Sequence, residues 1–421
     1  MELKTLALIG AGARGQDSYA PYVLFNGHEL QFVAVAEPIA DRRERFVNTF
    51  HIDPENVFHT DQELFARPRL ADAVLICTQD AQHYEMALRA IELGYHVMLE
   101  KPISPKAEEC VKLLAFARAH GTDVLVCHVL RYTEFYRRVK SVLQSGILGE
   151  LVSVNHQENV GYWHFAHSFV RGNWRNEATS SPMILAKCCH DMDILAWLLD
   201  ARLKTVSSFG GLTYFKKENA PAGAPMRCTD GCPHAADCPF YAPKLYLTEK
   251  TSWPTSVISD DPSLQARMRA LREGPYGRCV FHCDNDVVDH QVASMLFENG
   301  VTLTFTVCAY SNACNRTMKF MGTKGELRAS MEDNVLEVTL FGQGQMTGQR
   351  LEYHLHKAET GHSGGDEGIM RMFAQTLRDP SDHPHELEQS VHSHLMAFAC
   401  EASRHSGQTV EMDDFEKTLM P

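Results

Sequence analysis

Gly10-Ala11-Gly12-Ala13-Arg14-Gly15 stands directly behind the apolar run Lys4-Thr5-Leu6-Ala7-Leu8-Ile9 and directly ahead of Gln16-Asp17-Ser18-Tyr19. A G-x-G-x-x-G spacing at a strand-to-helix turn lets backbone amides approach a pyrophosphate, whose charge the helix N-terminus stabilises. Taken alone, the pattern also fits a tight glycine-rich turn. Its place in a strand-helix-strand unit, with Glu37 closing the second apolar run, points to dinucleotide binding through Gly10, Gly12, Ala13, Arg14 and Gly15. A carboxylate at Glu37 would accept the adenosine ribose hydroxyls and repel a 2′-phosphate, which favours NAD over NADP. Arg42 and Arg43, just beyond, leave room for the phosphorylated form.

Glu100-Lys101-Pro102 closes another apolar run, at the carboxyl edge where open α/β sheets bind ligands. Lys101 there is either a surface cation or a catalytic group. Thr78, Gln79 and His83 belong to the same rim, as do His128 and Arg131. From Ser181-Pro182, an N-cap and first-turn pair, the chain reads as one long helix to Leu199, with Lys187 and His190 three apart on one face. A lone histidine on such a helix is usually structural. Here it sits among Lys187, Asp191 and Asp193, a charge density that calls for a polar cavity.

These groups need elements to hold them. Runs at 30–36, 73–77, 96–99 and 124–127 read, with the first, as strands buried on both faces, alternating with helical patterns at 82–93 and 105–119. That alternation predicts a doubly wound parallel sheet over residues 1–129. A linking helix at 133–144 leads into residues 130–421, where strand patterns at 151–158, 204–215, 287–297, 301–309, 318–321, 326–330, 335–341 and 350–356 predict a mainly antiparallel sheet. Asn299-Gly300 turns one hairpin, and helices at 366–378 and 386–404 follow. The fold class is therefore α/β plus α+β, with a cysteine-rich insertion near 220–280.

Gly10 to Gly15, Glu100-Lys101-Pro102 and His190-Asp191-Met192-Asp193 together resemble the Gfo/Idh/MocA family, the glucose-fructose oxidoreductase and inositol dehydrogenase relatives. The resemblance implies a Rossmann domain, a C-terminal domain with a large open sheet, a bound nicotinamide, and a sugar or polyol substrate. It implies that Lys101 orients the substrate hydroxyl and that His190 exchanges its proton. Family members carry an Asp four residues before that histidine. This chain has Ala186, which leaves Lys187 as a substitute. A nicotinamide-dependent oxidation of a secondary hydroxyl is the leading expectation. A redox-neutral lyase or glycosidase, using tightly held NAD through a transient keto-sugar, is the alternative.

Tyr162 to Arg175 mixes aromatics with histidines and arginines, which suits either sugar recognition or a loop anchored by tryptophan. Tyr162, His167, Arg171, Trp174 and Arg175 are the candidate substrate contacts, with His128, Arg131 and Asp191. His362, in Gly361-His362-Ser363-Gly364-Gly365-Asp366, joins them because similar His-Gly-Gly stretches occur in glycoside-cleaving relatives; helix capping by Asp366 would also account for the segment. Cys228, Cys232 and Cys238 form C-x3-C-x5-C, and Cys279 offers a fourth thiol. Structural zinc, free thiols and a disulfide all compete for this cluster. Cys77, Cys127 and Cys308 lie in apolar runs and read as core.

Of the 421 residues, 40 are Lys or Arg and 53 Asp or Glu, a net charge of −13 that argues against a nucleic-acid binder. No apolar run approaches the roughly 18 to 20 residues that span a bilayer. The first apolar run is too short for a signal peptide. The expectation is a cytoplasmic protein that forms a homo-oligomer, dimer or tetramer, through its C-terminal sheet.

Overall fold

Six short apolar runs, each too hydrophobic to face water on either side, pair as one parallel sheet. They are β1 (Lys4–Ile9), β2 (Leu30–Ala36), β3 (Val57–Phe58), β4 (Ala73–Ile76), β5 (His96–Leu99) and β6 (Val124–Val126), in the order β3-β2-β1-β4-β5-β6. The computed structural model from which these elements are taken describes residues 2–342, 348–356, 358, 361–379 and 386–419. The strand order reverses between β1 and β4, so a crevice opens at their carboxyl ends, where Gly10 and Cys77 meet. Behind the glycine loop the chain begins as a π-helical turn, Ala13–Tyr19, before the helix Ala20–Phe25. That turn brings residues five apart onto one side, and Arg14 and Tyr19 both bond the same Glu100 oxygen.

The second sheet has nine strands: β7 (Leu151–Gly161), β8 (Leu203–Gly211), β9 (His290–Phe297), β10 (Thr302–Ser311), β11 (Asn315–Gly322), β12 (Gly325–Ser330), β13 (Val335–Leu340), β14 (Gln349–His354) and β15 (Val410–Glu411). Their order is β14-β13-β12-β11-β7-β10-β9-β8-β15. Only β7 and β10 run parallel, so the sheet is mixed but mainly antiparallel. Alternation sets its inner face: Leu303, Phe305, Val307 and Ala309 of β10 are buried, and the helices Cys189–Leu199 and Glu386–Ser406 pack with the same core.

Two features depart from the sequence reading. The helix Gly365–Thr376 returns across the expected boundary at 129: Ile369, Met370 and Phe373 share a core with Leu6, Leu8 and Phe32 of the first domain. The stretch from Ser181 to Leu199 is not one helix. It breaks at Lys187 and Cys188 into Met183–Ala186 and Cys189–Leu199. The break leaves the Ala186 carbonyl to accept the Lys101 ammonium at 2.9 Å. No helix among the described residues is long and apolar enough to cross a membrane.

Candidate active site

At the crevice the glycines divide the work. Gly10 turns at φ +91°, and a Cβ there would stand 2.5 Å from the Cys77 carbonyl oxygen, so the loop is pressed against the end of β4. At Gly12 the nearest obstacle to a Cβ is Arg42 Nη1 at 3.8 Å, which leaves the backbone free for a phosphate to approach. Glu37 is buried; its oxygens accept the Ala11 amide at 2.8 Å and the Ile39 amide at 2.9 Å. The carboxylate braces the loop and keeps lone pairs for ribose hydroxyls. Arg43 donates to the Glu37 carbonyl at 2.6 Å, and Arg42 stands 3.6 Å from Asp260 of the insertion.

Arg14 and Glu100 are bound to each other and to neighbouring side chains. Arg14 Nε donates to Glu100 Oε1 at 2.6 Å, and its Nη2 donates to Asp366 Oδ1 at 2.9 Å, which ties the phosphate loop to the helix Gly365–Thr376. Tyr19 also donates to Glu100 at 2.6 Å. Burial pushes both acids up, but Arg14 holds Glu100 below the usual carboxylate range, and His362 with Arg14 does the same for Asp366. His83 Nδ1 donates to the Pro102 carbonyl at 2.6 Å and so fixes the turn that carries Lys101. Thr78 bonds Met86 Sδ at 3.6 Å, and Gln79 caps the short helix that follows it.

The centre of the crevice is a group of imidazoles around Lys101. His190 is buried, and its Nδ1 has no hydrogen-bond partner among the described residues; neither nitrogen of His128 makes a hydrogen bond among them, Nε2 lying 3.7 Å from Asp193 Oδ1. Ring centres of His128 and His362 each lie 6.0 Å from that of His190. Burial, then the charges of Lys101, His362 and His128, push His190 well below an ordinary imidazole. At neutral pH it is therefore a neutral base with a free nitrogen. Buried polar atoms without partners are costly, so a site that keeps three together is built for something polar to enter.

Other residues chosen from sequence have different occupations. Asp191 is fully buried, with Arg316 Nε at 2.8 Å and His156 Nε2 at 2.7 Å on its Oδ1. Although burial raises it, those partners hold its carboxyl well below the usual range. It is a charge in a buried network and not a substrate contact. Lys187 pairs with Glu158 of the same network at 3.3 Å. Arg131 is buried against Asp193, donating from Nε at 2.6 Å.

Tyr162 to Arg171 is not a loop but a helical stretch, Tyr162–Phe165 followed by the π-helical Ala166–Arg171, packed under the insertion. Arg171 is fully buried, donating to the carbonyls of Phe240 and Arg278 at 2.6 and 2.7 Å. His167 meets the Tyr246 hydroxyl at 2.8 Å, and burial, then Arg171, push it down to about 3. Trp174 donates to Asp80 at 3.3 Å, Arg175 to Asp284 at 2.9 Å, and the half-buried Tyr162 ring packs 5.9 Å from Phe240. Tyr162, His167 and Arg171 therefore bind the insertion, whose stretch of chain poor in regular structure leaves carbonyls that such side chains must satisfy, whereas Trp174 reaches Asp80 on the rim of the first domain.

Two residues near the centre were not singled out. His164, three before His167, packs 4.9 Å from the half-exposed Trp253, and burial with the charges of Lys187, His167, Arg316 and Lys101 pushes it well below the usual imidazole. It stands on the crevice side of the stretch. His394 accepts the Ile103 amide at 2.9 Å and lies 5.4 Å from His128. The helical spacing of His164 and His167 gives no sign that both pack against Trp253 of the insertion.

Comparison with known proteins places these features in context. A model described as an oxidoreductase family with an NAD-binding Rossmann fold matches residues 4–128, and its companion, a C-terminal alpha/beta domain, matches residues 140–412. The chain is 23% identical over 387 residues to YteT of Bacillus subtilis (strain 168), covering 86% of this chain and 87% of that one. It is 30% identical over 205 residues to inositol 2-dehydrogenase of Pseudomonas fluorescens (strain SBW25), covering 48% and 55%. Over 169 residues it is 24% identical to 2,7-anhydro-N-acetylneuraminate hydratase of Escherichia coli (strain K12), covering 38% and 44%. The matches thus span about half the length of the inositol dehydrogenase and less of the hydratase. The fold aligns, at TM-score 0.68 and 15% identity, with an oxidoreductase from Agrobacterium radiobacter in complex with NAD+, L-tartaric acid and magnesium, over 98% of this chain and 99% of that one.

Proposed function

Because the chain belongs to the Gfo/Idh/MocA oxidoreductase family, we propose that it oxidises or reduces a secondary hydroxyl of a sugar, glycoside or polyol, with NAD as hydride carrier. The observation that carries this reading is the neutral, unpartnered His190 beside the Lys101 ammonium at the carboxyl edge of the first sheet. His190 takes the hydroxyl proton in the oxidative direction and returns it in the other. Lys101 uses one N–H on the Ala186 carbonyl and keeps two for the substrate oxygen, so alkoxide charge develops against a cation. NAD, held at Gly10 to Gly15 and Glu37, supplies the hydride acceptor when bound. Glu37 and the engagement of Arg42 and Arg43 favour it over NADP. The hydroxyl-bearing substrate class rests on the inositol dehydrogenase likeness and on the unpartnered imidazoles that would meet hydroxyls.

The experiment is to denature purified protein, weigh the released nucleotide, and screen inositols, aldoses and glycosides by nicotinamide absorbance. Turnover with stoichiometric NADH formation is the expected result. Turnover of a sugar with no net NADH would replace it with the redox-neutral reading. That second reading is favoured by His362, a further titratable ring beside His190, which an elimination or hydration would need as its second acid/base, and by the likeness to the hydratase. We further propose association through the outer face of the nine-stranded sheet, where Val152 and Phe209 are exposed. Sedimentation giving a monomer would reject it.

A further inference from the structure

We infer that Cys228, Cys232, Cys238 and Cys279 bind a single zinc ion, and that this ion secures the insertion forming one wall of the crevice. The four thiols line one cavity of about 20 Å³, with Arg171 and Phe240 beside them. Their convergence is not a property of the C-x3-C-x5-C run alone. Cys279, from some forty residues on, is brought in by a short antiparallel bridge in which the Cys228 amide donates to Gly277 and the Cys279 amide to Met226, each at 2.9 Å. A backbone bridge that presents two cysteines on one face, diagonal to each other, is a support of the kind a thiolate metal site requires.

Charge supplies the independent argument. Arg171 is fully buried, lines this cavity and stands 3.7 Å from Cys228 Sγ, and its Nη1 has no hydrogen-bond partner. Among the described residues no carboxylate pairs with it. A buried guanidinium without an anion is strongly unfavourable. Four thiolates on a divalent ion leave a net negative charge, which answers that cation.

The insertion also needs such a tie. Its own buried core is Cys228, Ala242, Tyr246 and Leu271, little apolar surface for so long a segment. Yet it must hold Tyr246 against His167 and Trp253 against His164. The ion therefore acts on the wall around His164 and His167.

The test is elemental analysis of full-length protein made in zinc-supplemented medium and purified without chelator. One zinc per chain is expected in the wild type and in His405→Ala, and its loss in Cys232→Ser and Cys279→Ser. His405→Ala is included because Glu177, Glu401 and His405 place ligand atoms within 4.8 Å of one another, whereas the four sulfurs stand further apart and must close onto the ion. Since a cysteine variant can fail to fold, alkylation of the wild type is mapped in parallel by mass spectrometry. The four thiols should be protected until a chelator is added, and cobalt in place of zinc should give sulfur-to-metal charge-transfer absorption. Substoichiometric metal with free alkylation overturns the inference. So does zinc that survives both cysteine substitutions or leaves with His405, and so does stoichiometric iron in zinc's place.

Discussion

Replacing Arg14 by methionine removes one guanidinium from between two buried carboxylates, which belong to different parts of the chain. Glu100 and Asp366 have side chains 6% and 3% exposed, at 2.6 and 2.9 Å from Arg14. Breaking a buried pair costs about 3 to 5 kcal/mol, because a charge is left without a partner. Glu100 keeps the Tyr19 hydroxyl and the Lys101 amide, and Asp366 keeps His362, so the lower end, about 3 kcal/mol, is the expected loss at pH 7. In melting temperature that is about 3 to 4 °C for a chain of 421 residues unfolding as one unit. The sign with pH follows from the acids. In the wild type both are held below their unfolded values, so their contribution is present above about pH 4 and fades only as pH falls through the lowered values. Without Arg14, burial is less opposed and both acids are raised relative to the wild type. The variant's penalty is then full at pH 7 and relieved as pH falls through the raised values. Thermal melts at pH 7 and pH 5 should show the gap between wild type and variant narrowing in acid, and adding Asp366→Asn should recover part of the loss at pH 7. A gap equal at both pH values would refute the assignment of Arg14 as the counter-charge.

His190→Ala should lower kcat by about 10² to 10⁴ while leaving NAD affinity within a few-fold, as read by turnover and by nucleotide titration. The wild-type acid limb of kcat/KM should fall below pH 6.5, since His190 is pushed down by burial and by Lys101. Lys101→Met, besides lowering kcat, should move that limb to higher pH, because a base loses activity as pH falls through its pKa and the lysine's charge no longer depresses it. Glu37→Ser should narrow the preference for NAD over NADP by at least roughly tenfold in a binding titration; wild-type protein that binds both equally would remove the reasoning.

What was legible in the sequence divides along the range of the interactions involved. The strands Leu30–Ala36 and His96–Leu99 fall on the apolar runs as read, because a parallel strand covered on both faces writes its burial into consecutive residues. Gly300, at φ +83°, turns the hairpin read from Asn299-Gly300. The helical pattern read from residue 105 begins at Ala107; the Ser104 hydroxyl just before it donates to Glu109 and accepts the Lys106 amide. At the site, Lys101 and His190 could be named from motif and position. The fate of Asp191 could not, since its partner Arg316 lies 125 residues away on β11. The segment from Tyr162 to Arg175 has a composition that fits sugar binding and buried carbonyl satisfaction equally. Only the path of the insertion over it decides which side chains remain for the crevice.

Ala186 joins these strands of the argument. The resemblance places an aspartate there, whose carboxylate would pair with a lysine and orient a histidine. In this chain the helix breaks just after residue 186, and the main-chain carbonyl at that position receives the Lys101 ammonium at 2.9 Å. Lys187, the substitute suggested by its neighbouring position, is drawn away to Glu158. Position 186 therefore still orients Lys101, with a neutral acceptor in place of a charged one. The electrostatic consequence falls on His190. With no carboxylate at 186 to offset it, the lysine's charge adds to the burial that already pushes the imidazole down, and both oppose its protonation. The base is thereby kept neutral across the physiological range, and the proton it accepts is held weakly enough to be passed on.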